Sequence, residues 1–507
     1  MSNLYISRSV KGCLTCKNRK KKCDETRPTC TRCINGDFEC LGYDYLAIPK
    51  GPRRRKKKVS AESDIPPSTL GSSPGNSSSE LPSFPSIHEV HQKPSANESS
   101  IMTFIQLNSI AKMPQVNVFD PEHIVQMFLH YSQLGPPGLK PFTPFSFSIL
   151  DSTASRARGS NLMLRSMHVG TRIKMAVLDG AGLTVGVRLI DDFQRQITNN
   201  VITPDATVAE LTGYMNCLFS LVISALQVIS TQVGYVLLQK LVPFFLALSA
   251  QSQELWVDDL SLSAQHVFAH SRFEISHFMF YDTVTSLVLG TVPLIHYNVT
   301  LNPIIRPPGK LHIDWAHGCS HIVVVLLARV NSWRAARFID PTHPAPTSEE
   351  QQEFLAYLQE WNPRITYHDE DEPAAVMGRL AVQEIWRHCV LIYMHMGMCG
   401  ADSADPQVEA SVHQVAKLSA TIEDGHPLEA HMTVPCIVAA AAARKEKHRA
   451  ILRKKIGVSR NEKACLIRGA DFLLVLDHLW HGAAAGGRPT TWQDYSDSRF
   501  AVLPVGI

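Results

Sequence analysis

The sequence contains few of the motifs by which enzymes are recognised. Neither a phosphate-binding Walker loop nor a dinucleotide-binding fingerprint occurs in its 507 residues. The long C-terminal part contains no group of polar residues in a recognisable catalytic pattern. We therefore predict that the protein is not an enzyme, and we name no catalytic residue.

Alternation of polar and apolar residues, which is typical of strands, is scarce, and no repeat of fixed period is visible. A heptad pattern is also missing after the N-terminal cysteines, where the chain is interrupted by Pro49, Pro52, Pro66 and Pro67. These absences argue against a β fold, and they make dimerisation through a coiled coil at this point doubtful. A solenoid of stacked repeats is not supported either.

The opening residues, MSNLYISRSVKG, lack the apolar core of a secretory signal. We therefore expect a reducing compartment, in which clustered cysteines bind metal rather than form disulfides. A long uncharged segment, Leu211 to Gln239, carries polar residues at helical spacing. We interpret it as a buried helix of a bundle, with a transmembrane helix as the alternative, and expect no membrane partner.

Positive charge is concentrated at one end of the chain. Residues 1–60 contain sixteen Lys and Arg residues against five Asp and Glu residues, although the net charge of the whole chain is only +3. A short basic segment on a mildly acidic body is typical of a module that binds a polyanion. The N-terminal segment is therefore the candidate for this role.

Six of the twelve cysteines are clustered in the pattern C-x2-C-x6-C-x6-C-x2-C-x6-C, in which the second triplet repeats the first at an offset of seventeen residues. The clustered residues are Cys13, Cys16, Cys23, Cys30, Cys33 and Cys40. Zinc prefers four ligands, so two separate ions need eight sulfurs, and six cysteines suffice only if two sulfurs are shared. An iron–sulfur centre, Cu(I), and free or disulfide-bonded cysteines are the alternatives.

The two halves of the cysteine cluster differ in charge. Five of the six residues between Cys16 and Cys23 are basic, namely Lys17, Arg19, Lys20, Lys21 and Lys22. The corresponding segment between Cys33 and Cys40 contains two acidic residues and no basic one. The basic half is predicted to contact DNA phosphates and to insert one side chain into a groove, with a merely solvated charge run as the alternative.

The string GCLTCKNRKKKCDETRPTCTRCINGDFEC resembles the fungal binuclear zinc-cluster DNA-binding domain. The resemblance implies two zinc ions, one held by Cys13, Cys16, Cys23 and Cys30 and the other by Cys30, Cys33, Cys40 and Cys13. It also implies that Pro28 fixes the loop between the halves. By the same resemblance, Lys20 with Arg19 reads CGG-type triplets in the major groove, while Lys17, Lys21 and Lys22 contact phosphates.

The rest of the chain is predicted to be helical, because apolar residues recur at spacings of three and four. A helix start is expected at Asp120 and Pro121. The expected helices include Leu211–Leu248 with a break near Pro243, His321–Phe338 and Ala375–Met396. The segment VQEIWRHCVLIYMHMGMCG and the C-terminal LVLDHLWHGAAAGGRPTTWQDY resemble the fungal transcription-factor regulatory domain, which implies an all-α fold that regulates activity.

A second metal site in the body is considered and not favoured. His317, Cys319 and His321 form H-x-C-x-H, but no third partner or helix glutamate accompanies the two histidines. We interpret this motif as a packed helix start.

Composition divides the chain into four zones: a zinc-cluster domain at 12–42, a basic linker at 43–60, a disordered Ser/Pro-rich linker at 61–117 and a helical regulatory domain at 118–507. The basic linker contains a run that could serve nuclear import or phosphate contact, formed by Arg53, Arg54, Arg55, Lys56, Lys57 and Lys58.

We predict a nuclear, sequence-specific regulator of RNA polymerase II genes that binds double-stranded DNA. Its partners are expected to be the transcription machinery or co-regulators, with a homodimer through the helical domain and a small-molecule effector left open. The alternatives are an architectural or repressor protein whose body serves only assembly, and an enzyme tethered to DNA.

Overall fold

The computed structural model describes parts of residues 12–40, residues 161–178, parts of 187–195, and residues 206–301, 317–362, 373–457 and 466–505. The chain divides into two compact units, residues 1–91 and residues 92–507. The predicted Ser/Pro-rich linker, the basic run at 53–58 and the helix start at Asp120 lie outside the described residues.

The described parts are mainly helical with almost no strands, which confirms the predicted all-α fold class. The helices are α1 (Thr31–Ile34), α2 (Asn161–Leu178), α3 (Val208–Ser224), α4 (Thr231–Ser249), α5 (Ala264–Ala269), α6 (Phe273–Leu289), α7 (His321–Ile339), α8 (Ser348–Glu360), α9 (Pro373–Tyr393), α10 (Pro406–Thr421), α11 (Thr433–Ala441), α12 (Glu446–Ile456), α13 (Gly469–His481) and α14 (Trp492–Val502). Two short parallel strands, β1 (Leu262–Ser263) and β2 (Tyr297–Asn298), pair with each other.

The long apolar segment predicted as one helix over Leu211–Leu248 forms two helices. Helix α3 begins at a capping box, in which the Thr207 hydroxyl accepts the Glu210 N–H at 3.3 Å and the Glu210 carboxylate accepts the Thr207 N–H at 2.8 Å. After α3, a π-helical turn at Ala225–Ile229 leads to Ser230, whose hydroxyl accepts the Gln232 N–H at 3.2 Å and starts α4.

The predicted break near Pro243 is therefore wrong, because Pro243 lies inside α4 and the chain turns at Ser230. The buried residues Leu241 and Phe245 flank Pro243, and their packing outweighs the backbone hydrogen bond that proline cannot donate. At the turn itself, a Cβ added to Gly234 would lie 2.5 Å from the side chain of Leu226. Only glycine allows this close approach of α4 to the π-helical turn.

Helix α6 is deeply buried in the second unit, since fifteen of its seventeen residues are buried. Phe278 stacks on Phe245 of α4 with ring centroids 4.1 Å apart. The buried carboxylate of Asp282 accepts the N–H groups of Leu294 at 2.8 Å and Ile295 at 3.3 Å. This carboxylate therefore holds the segment that follows the helix against its side.

Buried polar side chains tie α6 to its neighbours. The Asn331 amide of α7 donates to the Thr283 carbonyl at 3.0 Å and accepts the Tyr393 hydroxyl of α9 at 2.7 Å. The Tyr495 hydroxyl of α14 donates to the Val288 carbonyl at 2.6 Å. Such satisfied buried bonds specify one arrangement of the helices, because breaking them leaves a desolvated polar group without a partner.

Two segments of the described chain are long and apolar enough to span a membrane by length and composition alone, Val208–Gln227 and Thr231–Ser249. Within the apolar 18-residue window of each segment, 61% and 44% of the residues are buried inside the helical unit. Core helices of globular domains pass the same test, so the finding is weak evidence for a membrane span.

Candidate zinc centre and nucleic-acid interface

The six clustered cysteines converge in the first unit and form two overlapping groups of four sulfur atoms. Within each group, all Sγ atoms lie within 4.8 Å of one another. One group comprises Cys13, Cys16, Cys23 and Cys30, and the other comprises Cys13, Cys30, Cys33 and Cys40. Two cysteines, Cys13 and Cys30, belong to both groups.

The distances between the sulfur atoms fit tetrahedral zinc. An ion with zinc–sulfur bonds of about 2.3 Å holds its sulfur ligands about 3.8 Å apart. The Sγ atom of Cys30 lies 3.6 Å from that of Cys13 and 3.7 Å from that of Cys16, and the Cys13–Cys33 separation is 3.8 Å. These separations leave room for an ion at the centre of each group.

The two halves of the cluster repeat each other in their backbone hydrogen bonds as well as in sequence. The Cys16 N–H donates to the Cys13 sulfur at 3.4 Å, and the Cys33 N–H donates to the Cys30 sulfur at 3.3 Å. The Cys13 N–H likewise donates to Cys23 at 3.3 Å, and the Cys30 N–H to Cys40 at 3.5 Å. Each bond recurs seventeen residues later, and such donors stabilise metal-bound thiolates.

The electrostatics of the cluster also call for a cation. Burial raises the pKa of the Cys13 thiol to about 12 and also raises the pKa of Cys16 and Cys30. Thiolates packed this closely repel one another, so they ionise together only when a positive ion compensates their charge. The donor set, six thiols without a carboxylate, is the one that zinc prefers.

Asp24 links the basic half of the cluster to the other half. Its carboxylate accepts the N–H groups of Thr26 at 3.1 Å, Thr31 at 3.1 Å and Arg32 at 2.7 Å, and it also accepts the Thr26 hydroxyl. These bonds, chiefly that of the Thr26 hydroxyl, lower the pKa of Asp24 to about 2. The carboxylate thus caps α1 and fixes its start against the end of the basic segment.

Next to Asp24, the surface forms a groove lined by basic residues from both halves. Arg19, Lys21 and Lys22 come from the first half, and Arg32 comes from the second. All four side chains belong to exposed residues, and the Arg32 guanidinium donates to the Lys22 carbonyl at 3.2 Å. The basic segment begins in a helical turn, in which the Arg19 N–H donates to the Thr15 carbonyl at 3.0 Å.

Arg32 is the residue of this groove that our sequence analysis missed. The predicted contacts lie between the second and third cysteine of the first half, whereas Arg32 lies between the first and second cysteine of the second half. Arg32 is the only basic residue between Cys30 and Cys40, which is the signal that could have singled it out. Of the predicted DNA contacts, Lys17 and Lys20 lie outside the described residues, as does Pro28.

A family model described as a fungal specific transcription factor domain matches residues 208–499, which is more than half of the chain. The chain belongs to this family. A second family model, the fungal Zn(2)-Cys(6) binuclear cluster domain, matches residues 11–46, and this domain binds two zinc ions. The two matches confirm the resemblances and the zinc cofactor that the sequence analysis predicted.

Similar curated proteins of this kind come from several fungi. The chain is 48% identical over 73 residues to transcription factor lfc1 of Flammulina velutipes, a match that covers 14% of the chain and 25% of lfc1. It is 45% identical over 56 residues to white-opaque regulator 2 of Candida albicans, covering 11% of the chain and 12% of that protein. The match to the lysine biosynthesis regulatory protein LYS14 of Saccharomyces cerevisiae is 45% identical over 47 residues and covers 9% of the chain and 6% of LYS14.

The chain therefore matches a quarter or less of the length of these relatives. Their names are those of transcription factors and regulators, in agreement with the prediction that the chain is not an enzyme. No solved structure matches the chain.

The H-x-C-x-H motif of the body is a packed helix start. His317 is buried and stacks on Phe280 with ring centroids 4.5 Å apart. Ser320 caps α7 through its hydroxyl, which accepts the Ile322 N–H at 3.3 Å. Burial lowers the pKa of His317 well below its ordinary value. Among the residues that the structure describes, groups of three or more close metal ligands occur only in the cysteine cluster.

Proposed function

We propose that the protein is a sequence-specific regulator of RNA polymerase II genes that reads CGG-type triplets in double-stranded DNA. The observation that carries this proposal is the basic groove built on the zinc centre by Arg19, Lys21, Lys22 and Arg32. Four exposed cations on one surface of a rigid, metal-centred unit suit the phosphates that flank a major groove.

The proposal assigns Cys13, Cys16, Cys23 and Cys30 to one zinc ion and Cys13, Cys30, Cys33 and Cys40 to the other, so that Cys13 and Cys30 bridge. The sulfur geometry described above supports this assignment. When bound, the ions stabilise the fold of this small unit and hold its basic segment in place. We propose residues 12–42 as this domain and 118–507 as the regulatory domain, with linkers at 43–60 and 61–117.

Within the interface, Lys20 with help from Arg19 reads base edges, while Lys17, Lys21 and Lys22 contact phosphates. We add Arg32 as a further phosphate contact, because it lines the same groove and its bond to the Lys22 carbonyl links the two halves. The basic run at 53–58 serves nuclear import, phosphate contact or both. The helical domain engages co-regulators and offers a surface for a homodimer or a site for a small effector.

The interface is tested by alanine substitution in the zinc-loaded full chain. Lys20→Ala is expected to lower discrimination between a CGG-containing duplex and a scrambled duplex by about 1–3 kcal/mol. Lys22→Ala and Arg32→Ala are expected to weaken binding to both duplexes alike and to reduce the salt slope by about one each. Fluorescence anisotropy over a range of salt concentrations measures both quantities.

Arg27→Ala is the matched control, because Arg27 is also exposed but does not line the groove. Its effect on affinity and salt slope is expected to be much smaller than that of Arg32→Ala. Equal losses on both duplexes for Lys20→Ala would contradict the base-reading role, and an unchanged salt slope for Arg32→Ala would remove Arg32 from the interface.

A further inference from the structure

Two histidines of the helical unit face each other across neighbouring helices. His413 of α10 and His448 of α12 approach with Nδ1 of the first 3.2 Å from Nε2 of the second. His448 is buried, with 7% of its surface exposed, whereas His413 is exposed to solvent. Helices α10 and α12 pack against each other and against α11. The pair is thus held on a rigid frame and remains accessible from outside.

The two nitrogens lie at hydrogen-bond distance from each other, and the same separation is that of two ligands on one metal ion. In a tetrahedral site with zinc–nitrogen bonds of about 2.0–2.1 Å, two imidazole nitrogens lie about 3.3 Å apart. We propose that His413 and His448 bind a divalent transition-metal ion, additional to the two ions of the cysteine cluster. Glu409, which does not form a close ligand group with the two histidines in this structure, would move to become the third protein ligand. Imidazole and carboxylate together suit Zn²⁺, Ni²⁺ or Cu²⁺.

Glu409 lies one helical turn before His413, so the two side chains leave the same face of α10. Its carboxylate now pairs with the Lys445 ammonium at 2.6 Å, and Lys445 lies directly before α12. Ligation moves this carboxylate from the ammonium to the metal ion. Water fills the fourth position, as in other zinc sites with three protein ligands.

The surroundings set the strength of the site. Lys445 and Lys447 place positive charge around His448, and Glu409 opposes it. Excess positive charge weakens cation binding, so this site is weaker than the cysteine cluster and its occupancy follows the supply of metal. Occupancy would lock α10 to α12 within the regulatory domain.

The test uses the full chain with its two cluster zinc ions, dialysed at neutral pH against a moderate excess of Zn²⁺. Elemental analysis is expected to find three zinc ions in the wild type and two in the His413→Ala variant. The added zinc is also expected to raise the thermal unfolding midpoint of the helical unit in the wild type and not in His413→Ala. Glu409→Gln is expected to weaken binding of the third zinc ion, because the two histidine ligands remain and the carboxylate ligand is lost.

His478→Ala is the matched control, because His478 is another exposed histidine on a helix of the same unit. This variant is expected to bind three zinc ions. The proposal is overturned if the wild type binds only two, if His413→Ala retains the third, or if His478→Ala loses it equally. The last result would indicate adventitious binding to surface histidines.

Discussion

At the scale of single residues, Asp282 combines deep burial with an ionisable group. Burial raises its pKa to about 7, although two backbone N–H groups oppose this rise by stabilising the charged form. The folded protein therefore holds a proton on Asp282 over a pH range in which the unfolded chain has already released it. The stability that this group contributes is full below its ordinary pKa of 3.8 and is lost as the pH rises through 7.

We expect Asp282→Asn to remove this pH dependence. The free energy of unfolding of the wild type should fall relative to that of the variant between about pH 4 and pH 8, by at most about 1.4 kcal/mol per pH unit. Urea denaturation followed by circular dichroism across this range gives the difference. Asp258→Asn serves as a control with little pH dependence in this range. Hydrogen bonds, chiefly from Ser261, lower the pKa of the exposed Asp258, so its contribution to stability changes only below about pH 4. A pH-independent difference for Asp282→Asn would contradict the expectation.

Residue chemistry also decides how much of the site the sequence could predict. The number of cysteines is enough to predict that two sulfurs are shared if two zinc ions bind, whereas the choice of Cys13 and Cys30 as the shared pair came from the family resemblance. The contacts that Arg32 and Asp24 make between the two halves could not be predicted in this way. Their roles depend on hydrogen bonds between chain segments eight and ten residues apart, which no short motif encodes.

At the scale of secondary-structure elements, the contact between α4 and the π-helical turn depends on the absence of a side chain at Gly234. Gly234→Ala is expected to destabilise the helical unit by about 1–3 kcal/mol, because the new methyl group would clash with Leu226. Gly170→Ala in α2 is the matched control, since nothing lies within 4 Å of the added atom. This control should gain up to about 1 kcal/mol from its better helix propensity. Thermal unfolding distinguishes the two, and an equally stable Gly234→Ala would show that the turn can open.

The presence of helices such as α7 and α9 could be predicted from the sequence, because the apolar residues of a buried helix face recur every three to four positions. The exact break between α3 and α4 did not follow. Proline is the strongest local signal in that segment, yet the turn is set at Ser230 by a hydroxyl cap and by the bond from the Thr231 N–H to Asp471 at 2.8 Å. That acceptor lies 240 residues away in sequence, beyond the reach of a local pattern.

At the scale of the whole molecule, the zinc cluster and the helical unit are stabilised in different ways. The first unit has a core made of cysteines, whereas the second buries a large apolar core of its own. Chelation of zinc is therefore expected to unfold the first unit and to abolish DNA binding, while the helical signal of the second unit persists. The helical signal is measured by circular dichroism, together with the affinity for DNA, before chelation, after chelation and after zinc is added back. Loss of most helical signal on chelation would contradict this expectation.

Because Cys13 and Cys30 belong to both sulfur groups, the two metal positions are not equivalent when zinc is scarce. A single bound zinc ion would be ligated by both bridging sulfur atoms, which leaves the second metal position with only two unshared sulfur donors. A second ion must then bind to two sulfurs that are already ligated and lie beside a like charge, so we expect it to bind more weakly than the first. As zinc becomes limiting, the second ion is therefore expected to be lost before the first.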